Sequence, residues 1–133
     1  MITNRSSVPK KTWLVLAWTW TVAIAVLCLV SFKKLPGVKI EGLDKIVHAF
    51  LHFVFVMLWC RHFRIAGHLR ESRLLGKALS FSIIYGCLIE IAQEYFTTTR
   101  QADLKDVLAN FTGAALAVLL QLAIVRLTKR NPE

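Results

Sequence analysis

The chain has 133 residues, 56% of them hydrophobic, with a mean hydropathy of +0.53 and a formal net charge of +9. Soluble domains of this size are nearer half apolar and lack long uncharged runs, so the composition excludes an ordinary soluble domain. The positive balance does not point to nucleic acid, because the basic residues flank apolar segments, where they anchor helices and meet lipid phosphates.

The first predicted element is a helix over 13–32. Trp13 to Phe32 carries no charge, and a hydrocarbon core of about 30 Å needs about 20 helical residues. The stretch exceeds the ~7–15-residue core of a cleaved leader and no small-x-small site follows it, so it is expected to remain as a span. A basic turn, Lys33-Lys34-Leu35-Pro36-Gly37, comes next. The second helix is predicted over 44–63, with Lys45 and Arg61 able to snorkel at its ends. The third covers 74–96. The fourth covers 103–127 and contains the uncharged run Val107 to Val125.

Short connections make successive helices antiparallel neighbours. The expected fold is therefore all-α: one polytopic membrane domain over residues 1–133, a bundle of four transmembrane helices. Eleven of the 17 Lys and Arg residues fall in the two tails and the helix 2–3 connection, and six in the other two connections. The positive-inside rule then places both termini in the cytoplasm. Cys28, Cys60 and Cys87 lie within or at the ends of spans without CxxC or Cys/His zinc spacing, and read as buried hydrophobes. Trp13, Trp18, Trp20 and Trp59 read as interface or packing residues. The chain shows no internal repeat and no phosphate-loop or dinucleotide glycine motif.

The polar residues inside these spans carry the functional signal, since intramembrane ionisable groups are costly. On this topology they gather at the outward-facing mouth of the bundle. On helix 2, Asp44, His48 and His52 follow i, i+4, i+8 and form one stripe. Asp44 is also a natural N-cap. His48 and His52 have the spacing of two helical metal ligands but lack the intervening Glu of the zincin signature, so they and Glu90 are only weak metal candidates and no metal site is expected.

On helix 3, Glu90 and Gln93 share a face, with Glu90 about 9 Å below the helix end. A neutral buried Glu is a candidate general acid; an ionised one is a base or ligand. Glu94 reads as an interfacial residue. On helix 4, Asp103, Asp106, Asn110, Gly113 and Ala117 form a stripe, polar at the outer end and small deeper in, where another helix can approach closely. Asp103 suits the helix N-terminus, whereas Asn110 lies a turn too deep for that. Arg100, in the short outer connection, is either a membrane anchor or a bidentate partner for phosphate or carboxylate.

These residues resemble a known family. Asp44-Lys45-x-x-His48 opens one span, Glu90-x-x-Gln93 and Arg100 close the next, and Asp103-x-x-Asp106-x-x-x-Asn110-x-x-Gly113 opens the last. Together they resemble the VanZ-like family of small bacterial membrane proteins, over helices 2 to 4. The resemblance implies a multi-pass protein of the bacterial cytoplasmic membrane, in a family whose namesake is associated with teicoplanin resistance. It marks Asp44, Lys45, His48, Glu90, Gln93, Arg100, Asp106 and Asn110 as motif residues. His52 departs from the family, which more often has an aromatic residue there.

Three functional readings follow, none of which specifies a cofactor. In the first, the protein binds a cell-envelope molecule, either a lipid-linked precursor or a glycopeptide, through Asp44, Gln93, Arg100, Asp103 and Asn110. In the second it is an intramembrane hydrolase with Glu90, His48 and Asp106 as catalytic residues. In the third the polar residues hold together a bundle that serves another membrane protein. Membrane lipid is a partner in all three, and a homo-oligomer is compatible with each.

Overall fold

The computed structural model describes residues 8–30, 42–67, 69–97 and 102–130, the side chain of residue 130 excepted. It contains four helices, α1 (Lys10–Leu29), α2 (Leu43–Ala66), α3 (Glu71–Phe96) and α4 (Leu104–Arg130), and no strand among the described residues. Each is long and apolar enough to cross a bilayer. The all-α, four-span architecture is thus as expected.

The boundaries differ in a consistent way. α1 ends at Leu29, short of the expected Phe32, and residues 31–41 lie outside the described region. α2 runs on to Ala66, α3 starts at Glu71 and α4 continues to Arg130, each three residues past the apolar window. An apolar window stops where the hydrocarbon stops, whereas backbone hydrogen bonding continues into the polar layer. α2 opens on Gly42 and closes on Gly67, both in the left-handed region (φ 86° and 83°), where a residue without a β-carbon carries no steric cost. Asp44 is therefore in the first turn and is not the N-cap.

The bundle buries polar side chains within an apolar core and turns apolar ones outward. Thr21, His48, His52, Ser82, Glu90, Gln93, Asp106, Asn110 and Gln121 are buried, while Trp18, Val22, Phe50, Leu88, Leu108 and Leu119 are exposed. Lipid tails are as apolar as leucine, so association in a membrane rests on close packing and hydrogen bonds. Both are present. α2 packs most closely on α4, through Gly113, Ala114 and Ala117, all buried. α2 and α3 interdigitate aromatic rings: Phe55 stacks on Tyr85 at 5.4 Å, and Phe81 meets Phe55 and Trp59 at 5.1 and 4.8 Å.

α1 is tied to the others by hydrogen bonds. The Trp20 indole donates to the Leu51 carbonyl (2.9 Å), the Trp59 indole to Thr21 Oγ1 (3.3 Å) and the Gln93 amide to the Cys28 carbonyl (2.9 Å). Cys28 and Cys60 are buried, and Cys87 is half-buried.

Among the described residues, carboxylates gather at one end of the bundle and basic side chains at the other. Where α1 and α3 begin and α2 and α4 end, Arg64 pairs with Glu71 and donates to Gln121 Oε1 (3.0 Å). A cavity of about 520 Å³ lies there, lined by Arg61, Arg64, Glu71, Thr128 and Lys129 among others. Of the six described carboxylates, the other five, Asp44, Glu90, Glu94, Asp103 and Asp106, are at the opposite end.

Candidate functional site

The acidic end is built from three helix termini. α2 and α4 start there and α3 finishes there, so residues distant in sequence meet around one side chain, His48. His48 is 2% exposed. Its Nδ1 lies 3.1 Å from Asn110 Oδ1 and 3.9 Å from Glu90 Oε1. Its Nε2 lies 3.9 Å from Asp44 Oδ1 and 3.9 Å from Asp106 Oδ2. The amide oxygen has no proton to give, so Nδ1–H donates to Asn110, and Nε2 faces the two aspartates.

Two further groups fix the carboxylates. The Asp103 backbone N–H donates to Glu90 Oε2 (3.4 Å). Lys45 Nζ lies 3.5 Å from Asp106 Oδ1 and 3.8 Å from Asp103 Oδ2. Asp103 also caps α4, accepting from the Lys105 backbone N–H at 2.9 Å. It has both roles at once, helix start and rim of the cluster. Glu94, exposed at the end of α3, accepts from the Ala102 backbone N–H (2.8 Å) and holds the α4 approach against α3.

Some polar capacity in the cluster is unused. Among the described residues nothing hydrogen-bonds to the buried Glu90 Oε1 and Asn110 Nδ2, although such groups are normally satisfied. Asp106 Oδ1 likewise accepts no hydrogen bond among the described residues, with the Lys45 ammonium 3.5 Å away. Among the described residues the cluster sets four carboxyl groups, Asp44, Glu90, Asp103 and Asp106, beside one ammonium, Lys45. A buried imidazole between carboxylates, with open acceptor and donor positions beside it, can relay a proton, bind a cation or receive a hydroxyl or amine of a ligand.

The structure brings Asp44, His48, Glu90, Asp103, Asp106 and Asn110 together. Two expected members lie elsewhere. Gln93 is buried, but its amide is committed to the Cys28 carbonyl, in the last turn of α1, where carbonyls lack an intrahelical donor. His52 turns to Ser82, with Nδ1 2.7 Å from Ser82 Oγ. A metal pair built on His48 and His52 is therefore not formed, because each ring faces a different neighbour. Arg100 lies outside the described residues.

Two residues that set the geometry carry no sequence signal. A β-carbon on Gly86 would stand 3.1 Å from both Asn110 Nδ2 and His52 Cε1, so α3 has a glycine where α2 and α4 side chains converge. Ser82, one turn earlier, looks like any small residue of a span until His52 is seen on it. Lys45, marked only by the family resemblance, is the ammonium that faces both Asp103 and Asp106.

The sequence model of the family described as VanZ/LLP1 matches residues 3–126. No curated protein and no solved structure matches the chain.

Proposed function

The chain belongs to the VanZ/LLP1 family, and from that membership and the His48 cluster we propose that this multi-pass membrane protein binds the polar part of a cell-envelope molecule, a lipid-linked precursor or a glycopeptide. The site is the acidic end of the bundle, facing away from the cytoplasm in the bacterial cytoplasmic membrane. The observation that carries the reading is the unused hydrogen-bonding capacity of Glu90 Oε1 and Asn110 Nδ2 beside a rim of Asp44, Lys45 and Asp103. A bundle that needed these groups only as internal glue would pair them, since a buried unsatisfied group costs about 1–3 kcal/mol. Arg100, in the α3–α4 connection, adds a guanidinium suited to phosphate or carboxylate.

The test is native mass spectrometry of detergent-purified protein offered a prenyl-phosphate lipid and, separately, a glycopeptide. Wild type should retain one of them, and Asn110→Ala and Arg100→Ala should lose it. Retention equal in all three proteins, or in none, removes the reading.

A second reading, an intramembrane hydrolase, is favoured by one feature. The His48 ring stands 3.9 Å from both Glu90 and Asp106, a carboxylate–imidazole–carboxylate series suited to proton transfer. It requires that Glu90→Gln abolish turnover of a lipid-linked substrate while the bundle remains folded.

A further inference from the structure

Around His48 the geometry points to a binding site for one divalent first-row transition ion, of the zinc or manganese class, held by Asp44, His48 and Asp106. One oxygen of each aspartate and one nitrogen of the histidine all lie within 4.8 Å of one another. The relevant atoms are Asp44 Oδ1, His48 Nε2 and Asp106 Oδ2, with Nε2 3.9 Å from each oxygen. Donors about 2.1 Å from a tetrahedral ion are about 3.4 Å apart, so each nitrogen–oxygen pair needs to close by roughly half an ångström and the oxygen–oxygen pair, within 4.8 Å, by at most about 1.4 Å. Asp44 is exposed, on the first turn of α2.

The surroundings are those of a ligand histidine. Metal-bound imidazoles donate their second N–H to an oxygen that fixes the tautomer, and Nδ1 of His48 has Asn110 Oδ1 in that place at 3.1 Å. Nε2 then faces two carboxylates. In the ring whose one proton is on Nδ1, that nitrogen and the two oxygens offer three lone pairs to a single cation. Glu90, its side chain 4% exposed, stands at the other edge of the same ring, with Oε1 3.9 Å from Nδ1 and no hydrogen-bond partner among the described residues; it is not one of the three donors.

One imidazole and two carboxylates suit zinc or manganese better than soft copper(I), which selects thiolates, or magnesium, which keeps oxygen and water ligands. Three protein ligands leave a coordination position open. That position would take a phosphate or carboxylate oxygen of an envelope molecule, a use that rests on the function proposed above; the ion site itself does not.

The test uses untagged, detergent-purified protein stripped with chelator and dialysed against Zn²⁺ and, separately, Mn²⁺, with bound metal counted by mass spectrometry. The expected result is one Zn²⁺ or Mn²⁺ per chain in wild type. Asp44→Asn and Asp106→Asn should each weaken binding at least tenfold, and His62→Ala, toward the other end of α2, should leave it unchanged. Asp44→Asn keeps shape at an exposed position, so its loss of metal cannot be ascribed to misfolding. Any other pattern, including a wild type that binds neither ion or variants that bind as wild type does, overturns the assignment. Prenyl-phosphate retention measured on the same samples separates the two proposals, because metal bound without lipid retained sinks only the envelope reading.

Discussion

Gly113 of α4 stands against Ala49 of α2 so closely that a β-carbon on it would lie 1.8 Å from the Ala49 carbonyl oxygen and 2.6 Å from its carbonyl carbon. The obstacle is backbone, which cannot rotate away. The approach sets α2 against α4, and with it the reach from His48 to Asn110 and Asp106, one and two turns back along α4.

Gly113→Ala should therefore separate the two helices. Overpacking costs about 1–3 kcal/mol in typical cores, and this contact belongs at or beyond the top of that range. Thermal unfolding in detergent should show a clear loss of stability, with metal binding falling alongside it. An unchanged melting temperature would refute the close approach.

Gln93→Leu removes the hydrogen bond from α3 to the carbonyl of Cys28. Intramembrane hydrogen bonds average about 0.6 kcal/mol and reach about 1.7 kcal/mol. A loss of about 1 kcal/mol is expected, with metal and ligand binding retained. Loss of binding in a stable variant would return Gln93 to the site.

His52→Asn preserves a polar atom for Ser82 and deletes the rest of the imidazole. Since His52 faces Ser82 and His48 faces Asn110, the variant should hold as much Zn²⁺ or Mn²⁺ as wild type. A tenfold fall in affinity would mean that both histidines ligate.

Arg64→Ala acts at the other end of the bundle, where it severs links to Glu71 and Gln121. The pair is about a third exposed, which limits the loss to about 1 kcal/mol or less. Function at the acidic end should be intact, so the two ends can be separated by comparing stability with metal content.

Much of this molecule was written into its sequence. Four uncharged or nearly uncharged runs of bilayer length leave helices as the only elements that satisfy their own backbone in lipid. The stripes Asp44–His48–His52 on α2 and Asp103–Asp106–Asn110–Gly113–Ala117 on α4 predicted which faces turn inward, and all but the outermost members, Asp44 and Asp103, are buried, because helical periodicity is local and polar groups avoid lipid. The tertiary structure decided where each polar side chain points and what it meets. His48 and His52 are equivalent by spacing, yet one joins Asp44 and Asp106 and the other Ser82, because ring direction depends on what the neighbouring helices present. Glu90 and Gln93 share a face, yet one enters the cluster and the other caps α1, since a carboxylate and an amide a turn apart reach different helices. Gly86 shows the same dependence: a missing β-carbon becomes meaningful only once Asn110 and His52 fill the space beside it. Periodicity fixes the face of a helix, but the pairing of side chains across three helices is a property of their packing.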